Sequence, residues 1–172
     1  SLDDWDALAS AVAKVAASDA LAVIVQGCSL AFCAGSNIKE LGGLVENASG
    51  RAPFRKAMRK AMDPLHTMRI PTIAAVDGDC FGAGVALALA CDVRFGGERA
   101  RFAVTPAKLG ISYPQEDVAR LIEAVGRGQA ARLLFGAIVI DTPEAARIGL
   151  IQQAVQSAEA AAEEFAAAIA AN

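Results

Sequence analysis

Thr72-Ile73-Ala74-Ala75-Val76, closed by Asp77-Gly78, precedes Gly82-Ala83-Gly84-Val85-Ala86-Leu87-Ala88-Leu89-Ala90. The first five residues are apolar without alternation, the pattern of a parallel strand covered on both faces. Residues 85–90 are apolar all round, which places a helix there in the middle of the protein. Between them, small residues at 82–84 allow a tight turn from strand into helix.

Working toward the N-terminus, Leu21-Ala22-Val23-Ile24-Val25 is a second unbroken apolar run, ended by Gly27. It too reads as a parallel strand with both faces covered. The chain opens on a helix, with Ser1 and Asp4 spaced as a capping box and Trp5, Leu8, Val12 and Val15 at helical intervals. Residues 32–37 read as a turn, 38–46 as a short helix interrupted at Gly42-Gly43, and 53–68 as a cationic amphipathic helix. Toward the C-terminus, 93–95 and 101–104 read as short strands, and 117–125 and 128–135 as helices. Residues 138–140 are strand-like, Thr142-Pro143-Glu144 is a helix start capped by Thr142, and 150–155 form a last strand. From Ser157 the tail is an alanine-rich helix that buries little alone and suits packing on a neighbour. Strands alternating with helices predict α/β architecture with mostly parallel pairing.

Composition narrows the function. The 172 residues are 55% hydrophobic and carry 16 Lys and Arg against 19 Asp and Glu, a net charge of −3. An ordered domain follows, and disorder is excluded. A pI near 5.2 argues against a general nucleic-acid binder, which needs a dense basic face. No apolar run approaches the roughly 18–20 residues of a membrane span, so a soluble, cytoplasmic protein is expected. The four cysteines, Cys28, Cys33, Cys80 and Cys91, sit among aliphatic residues and read as small buried hydrophobes in a reducing compartment. They lack C-x-x-C spacing, and the single His66 does not complete a zinc set with them, so no metal is expected.

Two segments point to chemistry, Phe32-Cys33-Ala34-Gly35-Ser36-Asn37-Ile38 and Gly82-Ala83-Gly84. Each places backbone N–H groups at a small-residue turn after a strand, where a ligand oxygen can approach. Tight strand-to-helix packing explains the same residues without a ligand. A dinucleotide site is disfavoured, because Gly82-x-Gly84 lacks the third glycine and a well-placed acid. Nucleophilic hydrolysis is a minor reading: Ser36 lies in A-G-S-N rather than G-x-S-x-G, and His66 is the only base for it or for Cys33.

Phe32-Cys33-Ala34-Gly35-Ser36-Asn37-Ile38-Lys39-Glu40-Leu41 resembles the F-C-A-G-A-D-I-K-E-L signature of the enoyl-CoA hydratase/isomerase (crotonase) family. The resemblance continues through 70–78 and 82–92, and resumes at 108–111 and 144–150. It leaves out the family's usual N-terminal strands and most of its C-terminal helical region. It implies a spiral of β-β-α units over residues 1–155, with 156–172 the start of a short C-terminal helical, oligomerisation segment. It further implies an acyl-CoA thioester as substrate, with no cofactor beyond the coenzyme A it carries, and a homo-oligomer, a trimer or dimer of trimers.

By the same resemblance, the backbone N–H groups of Ser36 and Ala83 form the oxyanion hole, each such donor being worth about 3–4 kcal/mol. Ala34, Asn37, Ile38, Lys39, Gly84, Ala86, Ala107 and Tyr113 fall at substrate-binding positions. Lys39 and the basic residues Arg51, Arg55, Lys56, Arg59 and Lys60 are placed to meet CoA phosphates, although a solvated helix face accounts for the latter five. The family's two water-activating glutamates fall on Ala86 and Ala107, so simple two-glutamate hydration is not expected. Glu116 and Asp117 are the nearby acid/base candidates. Charges stabilising a helix N-terminus are the plainer account of both. The expected function is enolate stabilisation on an acyl-CoA, with a non-catalytic acyl-CoA-binding pseudoenzyme as the alternative.

Overall fold

The computed structural model describes residues 1–28, 31–37 and 48–172. Helix α1 (Leu2–Ala16) begins in a complete capping box between Ser1 and Asp4 and buries Trp5, Ala9 and Val12. It packs along α2 (Ala48–His66), whose Phe54, Ala57, Met58, Ala61, Met62 and Leu65 recur at helical spacing and are all buried.

Among the described residues the strands form two four-stranded sheets. The first takes β1 (Val23–Gln26), β3 (Thr72–Val76), β5 (Val93–Gly96) and β8 (Gln153–Ala154), in that order and all parallel. The second takes β2 (Ala31–Cys33), β4 (Asp79–Phe81), β6 (Arg101–Ala103) and β7 (Ile140–Asp141), with only β7 antiparallel. Each of the first three strand pairs thus donates one member to each sheet before the next helix, which makes the fold a spiral of β-β-α units. The helices after β4 and β6 are α3 (Ala83–Leu89) and α4 (Gln115–Gly136), the latter after a 3₁₀ turn at Pro106–Leu109.

The fully apolar strand and helix behave as their sequences require. Every residue of β3 is buried: Ala74 and Val76 join the main core, Ile73 and Ala75 a second cluster. All seven residues of α3 are buried. The second cluster is closed by α6 (Ala158–Ala170), capped by Ser157, whose Ala158 and Ala162 sit against Ile73, Ala75 and Phe95. Phe165 meets Phe95 edge to face with ring centroids 5.8 Å apart. The alanine-rich tail thus packs on its own sheet, because small side chains let the helix approach closely.

Several local expectations are corrected. Residues 32–33 are strand rather than turn, and β4 carried no sequence signal. Three-residue strands with a single inward side chain, Phe32 or Cys80, are too short to display a period. Strand β1 lies at the sheet edge and is only half-buried, with Leu21 exposed beyond it. Helix α4 joins the two segments read separately, breaking at Gly126 (φ 73°). Helix α5 (Thr142–Arg147) is capped by Asp141, which accepts from the Glu144 N–H at 3.0 Å. Thr142 is drawn away to donate to the carbonyls of Gly97 and Ala100. Cys28 is exposed, whereas Cys80 and Cys91 are buried. The short helix expected at 38–46 lies outside the described residues. Among the described residues no helix is long and apolar enough to cross a membrane.

Candidate active site

The two small-residue turns follow neighbouring parallel strands. Register pairs Ala31 with Asp79 and Cys33 with Cys80, so the chain leaves β2 and β4 side by side. The turns then touch through backbone. A Cβ on Gly84 would fall 2.1 Å from the Cys33 carbonyl oxygen, so that position accepts no side chain. A Cβ on Gly35 (φ 102°) would stand 3.0 Å from the Phe81 carbonyl oxygen and 4.0 Å from the Ala83 nitrogen. Gly35, the residue before Ser36, is thereby brought beside the Ala83 amide across 48 residues of sequence. Ala34 and Asn37 sit at the exposed rim of this junction, while Ala83, Gly84 and Ala86 are buried beneath it.

Helix α3 begins at Gly82 (φ 51°, ψ −108°) with no side-chain cap and no acidic residue in its first turn. Gly82 is held from two sides. Its N–H donates to the Ala103 carbonyl at 2.8 Å, and its carbonyl accepts from the Tyr113 hydroxyl at 3.0 Å. Burial pushes the Tyr113 phenol well above its usual range, with nearby Asp117 adding to the effect. Tyr113 also walls a cleft of about 420 Å³ with Val104, Ala107, Ile111, Ile122 and Leu134, an apolar chamber with Arg127 at its lining.

The acidic candidates are engaged elsewhere. Glu116 pairs with Arg55 at 2.7 Å, and its own helix-start amide followed by Arg55 holds its carboxyl below the ordinary value. Asp117 is fully buried between α2 and α4. Arg59 Nη2 lies 2.8 Å from its Oδ1 and donates to Oδ2 at 3.0 Å, with Arg120 at 3.6 Å. Burial outweighs these cations and raises the Asp117 carboxyl. Lys60 faces Asp6 at 3.8 Å, so three cations of the basic helix have carboxylate partners on this chain. Ile38 and Lys39 lie outside the described residues.

His66 is not beside Ser36 or Cys33. It lines a separate polar cleft of about 340 Å³ with Cys91, Asp92, Arg94, Arg120 and Gln152. Burial raises the Cys33 thiol, which opposes a thiolate nucleophile. The Tyr113 bond to Gly82 escaped the sequence reading of the site, since nothing in the pattern at 113 points 31 residues back.

A family model described as enoyl-CoA hydratase/isomerase matches residues 5–171. The chain belongs to the enoyl-CoA hydratase/isomerase family. Methylglutaconyl-CoA hydratase from Mus musculus is 36% identical over 125 residues, 73% of this chain and 39% of the mouse protein. The short-chain-enoyl-CoA hydratase of Clostridium acetobutylicum is 36% identical over 143 residues, 83% of this chain and 54% of that protein. This chain therefore spans about half the length, or less, of these relatives. A family protein from Hyphomonas neptunium superposes with a TM-score of 0.94 at 37% identity, over 99% of this chain and 66% of that one. An enoyl-CoA hydratase from Bacillus anthracis gives 0.93 at 31% identity, over 100% and 67%. The hydratase/isomerase fold is thus present across nearly the whole of residues 1–172.

Proposed function

We propose that this protein binds an acyl-CoA thioester with its carbonyl oxygen between the N–H groups of Ser36 and Ala83, and stabilises the enolate formed there. The observation carrying this reading is the backbone contact between the turns, with position 35 packed against the Ala83 amide. Donors set in advance at a developing oxyanion stabilise it strongly in a water-poor site. The apolar cleft behind Tyr113 suits the acyl group. The names of the relatives point to short or branched enoyl thioesters as the class to test first.

Positions 86 and 107, where the family signature puts glutamates, hold methyl groups that exchange no proton. Ala86 is fully buried, and Ala107 lines the cleft. Enolate chemistry such as isomerisation fits these residues better than two-glutamate hydration. The same alanines, together with the ion pairs at Glu116 and Asp117, favour the second reading, a non-catalytic acyl-CoA binder. A thermal-shift titration with crotonyl-CoA, followed by turnover on enoyl-, 3-hydroxyacyl- and branched acyl-CoA thioesters, separates them. Binding at about a thousand times the dissociation constant adds about 4 kcal/mol of stability. Turnover establishes the enzyme, binding without turnover the binder, and no stabilisation by any thioester rejects both.

The proposal includes a cytoplasmic location, no cofactor beyond the CoA of the substrate, and a homo-oligomer, trimeric or a dimer of trimers, to which 156–172 contributes. Phe135 and Val139 support assembly, being 84% and 52% exposed. A monomeric mass at micromolar concentration counts against it.

A further inference from the structure

The Gly82 carbonyl and the Ala83 N–H are the two ends of one peptide group. A donor at the oxygen draws electron density along the amide and leaves the N–H a stronger donor, the cooperativity of hydrogen-bond chains, roughly 10–30% per bond. Tyr113 supplies such a donor at 3.0 Å. The Ala86 N–H reaches the same oxygen at 3.3 Å, and the Gly82 N–H is anchored on Ala103 at 2.8 Å. The Gly82 carbonyl thus accepts two hydrogen bonds, one of them from the only tyrosine in the sequence, while the Gly82 N–H anchors the preceding peptide.

We propose that Tyr113 is a positioning residue for the oxyanion site: its phenol aligns and polarises the Gly82–Ala83 peptide, strengthening the Ala83 N–H toward a thioester oxygen. The inference rests on the acyl-CoA reading of the two turns. Its geometry accounts for a polar hydroxyl on a side chain that otherwise walls an apolar cleft. Because burial and Asp117 both favour the neutral phenol, against the smaller influences of Arg59 and the Ala86 backbone, the group keeps its proton and stays a donor.

The test uses crotonyl-CoA carrying ¹³C at the thioester carbonyl, read by isotope-edited infrared spectroscopy on the wild type and Tyr113→Phe. A third sample has every tyrosine replaced biosynthetically by 3-fluorotyrosine, which alters position 113 alone. On binding, the wild-type carbonyl band moves to lower wavenumber. It moves less in Tyr113→Phe and more with the more acidic fluorophenol, while affinity for crotonyl-CoA stays within about twofold. On any thioester that is turned over, Tyr113→Phe lowers kcat about three- to tenfold at nearly constant KM, the range of one neutral hydrogen bond. A Tyr113→Phe band matching the wild type overturns the role of Tyr113 and leaves the oxyanion reading standing. A wild-type band that does not move on binding overturns the oxyanion reading and this inference with it. If Tyr113→Phe does not fold, the fluorotyrosine sample decides, and an unchanged band there overturns the role.

Discussion

Helices α3 and α4 pack against each other, yet their N-termini are used in opposite ways. Both present unpaired N–H groups and the positive end of a helix dipole. At the start of α4, after Pro114, the first turn carries Glu116 and Asp117, and these acids reach across to Arg55 and Arg59 of α2. At the start of α3 the first turn is Ala83-Gly84-Val85, without acid or side-chain cap, and its neighbour is the backbone of Cys33 and Gly35. A helix start filled by its own carboxylates becomes a joint between helices. One lined by small residues has no acid or side-chain cap over its first amides, the feature on which the proposed oxyanion site relies.

The largest expected effect breaks the joint. Arg59→Met leaves the fully buried Asp117 without its 2.8 Å partner. Stripping one member from a buried pair costs about 3–5 kcal/mol, measured by denaturant titration at pH 7, and adding Asp117→Asn recovers most of it. The sign follows from the carboxyl, which burial already raises above its ordinary 3.8. Stability tied to the protonated form is present at low pH and lost as pH rises through the raised value, so the deficit of Arg59→Met grows from acid toward neutrality. An equal deficit at pH 4 and pH 7 contradicts this account.

Next comes the donor itself. Proline is tolerated at the first helical position, where it deletes an N–H with no partner inside the helix. Ala83→Pro is expected to cut kcat about 10²–10³-fold, the loss seen for one oxyanion donor, with circular dichroism retained. Gln115→Pro, the equivalent change at α4, leaves turnover within about twofold. Equal effects of the two prolines would erase the distinction between the helix starts.

The smallest effect tests a third, solvent-facing start. Glu144 in α5 is held at about 2 by Arg147 first and Arg132 second. A depressed carboxyl stabilises the fold above its ordinary value near 4.5, and that contribution disappears as pH falls from there toward 2. Glu144→Gln therefore melts slightly below the wild type at pH 7, and the two converge below pH 2. A gap of constant size across that range assigns the loss to something other than charge.

Much of this molecule is legible along the chain because it depends on neighbours within about four residues. The Ser1–Asp4 box, the strand at 72–76, the apolar helix following Gly84 and the small-residue turn before Asn37 follow from local periodicity, capping and residue size. Contacts between distant segments decide the rest. Register between two three-residue strands sets Gly35 against Ala83, and no pattern in either strand announces it. A hydroxyl 31 residues away engages the Gly82 carbonyl, and a guanidinium 58 residues away claims Asp117. Sequence alone thus determined the long helices, the buried strand at 72–76 and which turns are built of small residues. Tertiary packing decided which polar groups are already partnered, because a buried charge or carbonyl takes whichever partner the fold brings within about 3 Å.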